Sequence, residues 1–216
     1  MKATLAHVLD ALPQTQCTRC AYPDCEAYAR AIVDEQAPIN QCPPGGAEGI
    51  ARLAMITGQP ALPLNPEHGF EGPRSVAIID EAWCIGCTLC IEACPTDAVL
   101  GSNKLMHTII EPYCTGCELC IPVCPVDCIS LEVVSGEHTG WQAWSDREAQ
   151  QARTRYAARQ VRLADAAKKH TDQQADELQD KLSDLSAHTK PADNAGMARK
   201  KAIIEAALAR ARAKKT

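Results

Sequence analysis

The sequence has few aromatic residues and no long apolar run. One Phe, three Trp and four Tyr in 216 residues leave little aromatic material for a core. No window approaches eighteen uninterrupted apolar residues, so we expect no membrane-spanning helix, and the start MKATLAHVLDALPQTQC lacks the apolar stretch of a signal peptide. No glycine-rich nucleotide loop, Ser-His-Asp grouping or paired-carboxylate site stands out. These absences argue against a substrate-transforming enzyme and leave binding or electron transfer.

Cysteine is abundant where aromatics are scarce. Thirteen Cys occur in the chain, twelve of them between Cys17 and Cys124 in three tight groups, and none in the last 80 or so residues. A secreted disulfide scaffold is one interpretation of such a composition. The odd number and the missing signal peptide favour a reduced, cytoplasmic protein whose thiolates are available for metal.

Charge is divided unevenly along the chain. From Asp146 onward there are 16 Lys and Arg against 10 Asp and Glu, whereas positions 1 to 145 carry 6 basic and 17 acidic residues. The cysteine-bearing part is therefore strongly acidic, and the end of the chain is basic.

Two stretches repeat one cysteine pattern thirty positions apart. WCIGCTLCIEACP (83–95) and YCTGCELCIPVCP (113–125) both read CxxCxxCxxxCP. A structural zinc ion is usually bound by two CxxC pairs. Three thiolates from one tight turn and a fourth from a distant position are typical of the four iron atoms of a cube-shaped [4Fe-4S] cluster. In bacterial ferredoxins with this run, the fourth cysteine ligates the other cluster. The predicted ligand sets are Cys84, Cys87, Cys90 and Cys124 for one cluster, and Cys114, Cys117, Cys120 and Cys94 for its twin. Zinc or free thiols remain the alternative.

A third cysteine group precedes the repeat. It comprises Cys17, Cys20, Cys25 and Cys42, whose spacing alone also permits a zinc site. Cys25 is predicted to open a helix, with Asp24 as its N-cap, and helix N-terminal amides favour an anionic centre. We therefore expect a third cluster here, with zinc as the alternative.

Local patterns predict an α+β fold in four parts. Helices are expected over 4–12, from Cys25 and over 47–57, and β-rich runs lie at 75–79, 104–110 and 129–133. The predicted parts are a small helical 4Fe-4S domain (1–58), a Pro-rich linker (59–73), a two-cluster ferredoxin-like domain (74–135) and a long α-helical or partly disordered charged tail (136–216). The tail has only two short rows of large apolar residues that could dock it on another surface: Leu178–Leu182–Leu185 and Ile203–Ile204–Leu208. We expect disorder or a solvated, partly frayed lone helix, with a docked helix as the alternative.

The cysteine motifs resemble those of one family. LPQTQCTRCAYPDCEAYARAI with INQCPPGG, then DEAWCIGCTLCIEACPTDAV, KLMHTII and YCTGCELCIPVCPVDCI, are similar to the B subunit of Rnf-type (Rsx) electron-transport complexes. The resemblance covers residues 5 to about 135. It implies three [4Fe-4S] clusters and an electron relay in a membrane complex that couples redox chemistry to ion movement. Expected partners are redox proteins: ferredoxin, a flavoprotein or other subunits of the complex.

The chain departs from the family pattern in two ways. Family members commonly begin with a membrane-spanning helix, for which the sixteen residues before Cys17 leave no room, so any membrane contact is expected to be peripheral, on the cytoplasmic face of the inner membrane. Glycines typical of the first cysteine loop are replaced by Thr18, Ala21 and Asp24.

Two other functions are compatible with parts of the sequence. One alternative is an electron-donor subunit of another reductase. Another is a nucleic-acid-associated protein whose basic tail contacts phosphate, which the acidic head opposes.

Two residues beside the cysteine phrases have modest expected roles. Cys128, which aligns with Ala98 in the repeat, is expected to be a buried filler rather than a ligand. His107 is expected to be a satisfied imidazole, with cluster tuning or proton transfer as the alternatives.

Overall fold

Short helices and short strands alternate with turns in the computed structural model, which describes residues 3–185 and 194–213. The α-helices are α1 (Leu5–Asp10), α2 (Cys25–Val33), α3 (Gly46–Thr57), α4 (Leu89–Ala93), α5 (Asp146–Ser183) and α6 (Asn194–Ala213), and the strands are β1 (Ser75–Ile79), β2 (Val99–Leu100), β3 (Thr108–Ile109) and β4 (Ile129–Val133). The mixed α and β architecture predicted from the sequence is confirmed. Residues up to Arg159 form one compact unit and those from Gln160 a second.

The first three helices enclose the N-terminal core. Val8 of α1, Tyr28 and Ile32 of α2 and Leu53 of α3 are each at most 1% exposed. The predicted cap of α2 is confirmed, because the Asp24 carboxylate accepts a hydrogen bond from the Ala27 N–H at 2.7 Å. This core fixes the start of α2, where Cys25 lies.

Two small antiparallel sheets frame the repeated cysteine phrases. β1 pairs with β4 from Ser75↔Val133 to Ile79↔Ile129, and β2 pairs with β3. The predicted runs 75–79 and 129–133 are strands over their whole length, but only the end of 104–110 is a strand. Lys104 has a φ of 62°, and its N–H donates to the carbonyl of Gly86 at 2.9 Å. The start of the predicted strand is therefore a loop over the first cysteine phrase.

The Pro-rich segment 59–73 is held to the rest of the first unit by hydrogen bonds. The N–H of Asn65 donates to the Asn40 carbonyl, and Glu71 accepts from the Ala47 N–H and the Thr139 hydroxyl. The predicted parts 1–58 and 74–135 both lie within the unit that ends at Arg159.

The expectation of an undocked, solvated tail is wrong for the segment 140–159. Trp141 and Trp144 are buried together with Ala149 and Ala152 of α5. The Trp144 indole N–H donates to the Pro13 carbonyl at 2.8 Å, and Arg153 pairs with Asp10. A stripe of large aliphatic residues is the usual signal of a docked helix, whereas this contact uses tryptophan anchors, small alanines and arginines.

Candidate metal centres

One cavity of the ferredoxin-like region is surrounded by thiols from both cysteine phrases. Cys94 of the first phrase lines it together with Cys114, Cys117 and Cys120 of the second. Three of these four cysteines are buried, and Cys117 is half-buried. The fourth cysteine of the first phrase thus lies with the first three of the second.

A second cavity has the reciprocal composition. It is lined by Cys84, Cys87 and Cys90 of the first phrase and by Cys124 of the second, with Cys128 and His107 beside them. Ile79, Ile85 and Ile129 complete the wall with apolar surface. The structure therefore brings together both sets of cysteines that the crossed pattern predicted.

The sequence repeat is reproduced in the backbone. Gly86 and Gly116 both have φ of 68°, and Thr88 and Glu118 both have 66°. A β-carbon at Gly116 would overlap the carbonyl oxygen of Ser75, and one at Gly86 would overlap the backbone of Leu105. Because the positive φ disfavours a side chain and the neighbouring backbone leaves no room for one, glycine is required at each loop.

Backbone amides donate to the sulfurs. The N–H of Ala98 lies 3.2 Å from Cys94 Sγ, the N–H of His107 lies 3.4 Å from Cys84 Sγ, and the N–H of Ala77 lies 3.4 Å from Cys114 Sγ. Such donors stabilise negative charge on thiolate sulfur and are a known means of setting the potential of an iron–sulfur centre.

The N-terminal cysteines form a third buried group. Cys17, Cys20, Cys25 and Cys42 are each 8% exposed. Burial raises the pKa of Cys25 and of Cys42, and the negative charge of neighbouring cysteine thiolates raises both further. Cys25 and Cys42 therefore need a compensating cation, such as a bound metal centre, in order to ionise.

Two of the three glycine replacements occupy backbone positions that favour glycine. Thr18 has a φ of 60° and Ala21 a φ of 67°, both in the left-handed region. Asp24 is different, since its φ of -159° is extended and its side chain caps α2. The first cysteine loop therefore has left-handed backbone at Thr18 and Ala21 although neither residue is glycine.

Cys128 lies close to a predicted ligand. Its Sγ is 3.5 Å from Cys124 Sγ. Burial tends to raise the pKa of Cys124, but hydrogen bonds from the Val126 and Cys128 N–H groups and from the Cys128 thiol lower it overall. Burial and the bond to Cys124 raise the pKa of Cys128 to about 12. Cys124 is thus the better thiolate of the pair, and Cys128 is a neutral hydrogen-bond donor to it.

The donor sets fit an iron–sulfur centre by their chemistry. All twelve predicted ligands are thiols, the soft ligands that iron–sulfur clusters take. Burial raises the pKa of Cys117 and of Cys120 to about 12, so these thiols also need a cation to ionise. In the described part of the chain no group of three or more His, Cys, Asp or Glu is arranged to hold a single metal ion.

Sequence reasoning missed the contacts that join the N-terminal group to the second phrase. The Thr115 hydroxyl, next to Cys114, donates to the carbonyl of Thr15 at 2.9 Å, and both residues are buried. Arg19 pairs with Glu118 beside this bond. A Thr so far from its partner in sequence carries no local signal that could have revealed this contact.

Comparison with known proteins follows the same division of the chain. A family model described as "4Fe-4S dicluster domain" matches residues 77–131, and one described as "Putative Fe-S cluster" matches residues 12–44. The chain is 58% identical over 131 residues to the B subunit of the ion-translocating oxidoreductase complex of Azoarcus sp., covering 61% of this chain and 72% of the relative. The chain belongs to this B-subunit family.

Two further B subunits of ion-translocating oxidoreductase complexes show a similar relationship. The one from Alkalilimnicola ehrlichii is 53% identical over 140 residues, which are 63% of this chain and 75% of the relative. That from Thiobacillus denitrificans is 58% identical over 107 residues, 49% of this chain and 57% of the relative. The resemblance predicted from the cysteine motifs is confirmed, and both matched regions are iron–sulfur domains.

No helix within residues 3–185 and 194–213 is both long enough and apolar enough to cross a membrane.

Proposed function

We propose that this chain carries three [4Fe-4S] clusters and relays single electrons between redox partners as the B subunit of an ion-translocating oxidoreductase complex. The observation that carries the proposal is the pair of cavities in which each cysteine phrase contributes three thiols to one set and one thiol to the other. Family membership supports the same function.

The proposed ligands are those expected from the sequence. One cluster takes Cys17, Cys20, Cys25 and Cys42, a second takes Cys84, Cys87, Cys90 and Cys124, and a third takes Cys94, Cys114, Cys117 and Cys120. Each cluster, when bound, accepts and releases one electron. The parts 1–58, 59–73, 74–135 and 136–216 would then be the first cluster domain, its connection, the two-cluster domain and the charged helical end.

The protein's own residues hold and shield these centres. Amides at Ala77, Ala98 and His107 donate to the sulfurs, and apolar side chains line the cavities. The Thr115–Thr15 hydrogen bond links the loops of the N-terminal set and the Cys114 set through buried protein. This buried contact is the route that we propose for electrons between the two sets.

Charge suggests the nature of the partners. The acidic residues of the cysteine-bearing part would attract a basic patch on a redox protein, such as a ferredoxin, a flavoprotein or another component of the complex. Contact with the cytoplasmic face of the inner membrane would then be indirect, through such a partner. Electron-transfer rates should fall as ionic strength rises, and rates indifferent to salt would contradict this steering.

The function is tested by purifying the full chain without oxygen and measuring its metals. Three filled sites give about twelve irons and twelve sulfides per chain, with three centres reducible in a redox titration followed by electron paramagnetic resonance. Eight irons per chain together with zinc would indicate that the N-terminal set binds zinc instead of a cluster. Zinc alone would refute the redox function.

A further inference from the structure

The two repeat sites are related by the thirty-residue offset, and one pair of equivalent residues differs sharply. Ala77 and His107 are thirty positions apart. Each donates its backbone N–H to the first cysteine of a phrase, Ala77 to Cys114 Sγ and His107 to Cys84 Sγ, at 3.4 Å in both sites. The backbones of the two residues therefore play the same part, and only the side chains differ between these two positions.

The His107 side chain makes a sulfur contact that Ala77 cannot make. His107 is 1% exposed, and its Nδ1 lies 3.2 Å from Cys90 Sγ. Its Nε2 lies 3.2 Å from the Ser102 carbonyl oxygen. A β-carbon at Gly101 would overlap the imidazole, so this glycine makes room for it. At the twin site Ala77 offers only a buried methyl group.

The contact has a direct electrostatic consequence for a bound cluster. A metal-bound thiolate sulfur can only accept a hydrogen bond, so Nδ1 of His107 stabilises Cys90 Sγ when that nitrogen carries the ring N–H. Reduction adds one electron, and no bond forms or breaks, so negative charge on the sulfurs increases. An N–H donor in a buried site stabilises that added charge more strongly than it would in water.

We infer that His107 raises the reduction potential of the centre held by Cys84, Cys87, Cys90 and Cys124 above that of its twin. The inference rests on the proposed function. With one-electron donors such as dithionite in the titration, or a redox protein in the complex, the His107 centre fills first. His107 thereby adds to the differences between the two repeated sites and makes this centre the first of the two to hold an electron.

The experiment compares reconstituted full-length variants by redox titration with electron paramagnetic resonance detection. His107→Ala copies the twin site, His107→Leu keeps volume without an N–H, and His107→Asn retains a donor. Ala and Leu should move one midpoint to more negative values and leave the other two unchanged, and Asn should restore part of the shift. His68→Ala is the matched control, because its Nδ1 faces the Arg19 carbonyl instead of a sulfur.

Iron and sulfide contents distinguish a failure of the proposed function from a failure of the role inferred for His107. If wild-type protein holds no reducible clusters, the proposed function fails. If the clusters assemble and no midpoint moves, or the midpoints of both repeat sites move equally, only the role of His107 is overturned.

Pulsed resonance on wild-type protein labelled with ¹⁵N-histidine keeps the inference testable even if the variants lose a cluster. Nitrogen coupling should appear in one reduced repeat centre and persist in His68→Ala. Absence of coupling from every reduced centre would overturn the inference.

Discussion

Replacing Trp144 by Ala should release the segment 140–159 from the cysteine-bearing part of the chain. Trp144 is 7% exposed, donates its N–H to the Pro13 carbonyl and lies under the Arg74 guanidinium at 4.0 Å. Truncating a buried Trp to Ala costs about 3 to 5 kcal/mol. Taking the lower value, because the segment can undock without global unfolding, the opening equilibrium rises about a hundredfold.

Hydrogen exchange measures this opening directly. Backbone amides of the buried turn at Ala149 and Ala152 should exchange about a hundred times faster in Trp144→Ala, while amides of β1 and β4 should be unchanged. Trp144→Phe keeps an aromatic ring under Arg74 but leaves the Pro13 carbonyl without its donor, so it should give an increase of roughly tenfold. Exchange within about threefold of wild type in Trp144→Ala would refute the docking described for this segment.

Three further outcomes follow from the described contacts. Cys128→Ala should keep the full iron content, because Cys128 is the neutral neighbour of Cys124; loss of about four irons would make it a ligand. Burial raises the pKa of Glu148, but Ser145 hydrogen bonds and the Arg74 charge lower it overall, so its stabilisation is present above the unfolded pKa and lost as pH falls through the folded value. Exchange at Ala152 should accordingly rise below about pH 4, less so in Glu148→Gln, and equal acid sensitivity in both proteins would exclude this carboxylate. Thr115→Val should slow electron transfer between the N-terminal and Cys114 sets without changing iron content, and an unchanged rate in stopped-flow reduction would remove that hydrogen bond from the path.

Features set by short-range chemistry were predictable from the sequence. The CxxCxxC spacing indicated which three thiols of each phrase share a cavity, and the known ferredoxin pattern supplied the crossing fourth thiol. The Asp24 cap and the strands at 75–79 and 129–133 follow from local preference and alternation in the same way.

Features that depend on distant partners were not predictable. The left-handed backbone at Thr18 and Ala21 could not be predicted from the sequence, because only glycine commonly marks such a conformation. Docking of 140–159 depends on Trp144 meeting a carbonyl far away in sequence. His107 looked like an ordinary buried histidine until its ring could be placed against Cys90 Sγ.

The central claim is that three separate four-cysteine sets hold three clusters, two of them interlocked. The most direct measurement is iron per chain, with resonance spectra of the reduced protein, in Cys42→Ala, Cys94→Ala and Cys124→Ala, the last in a Cys128→Ala background so that no neighbouring thiol can substitute. We expect about twelve irons in wild type and a loss of about four in each variant, with a different centre missing each time. Loss of the same centre from the Cys94 and Cys124 variants, or zinc in place of iron, would contradict the account.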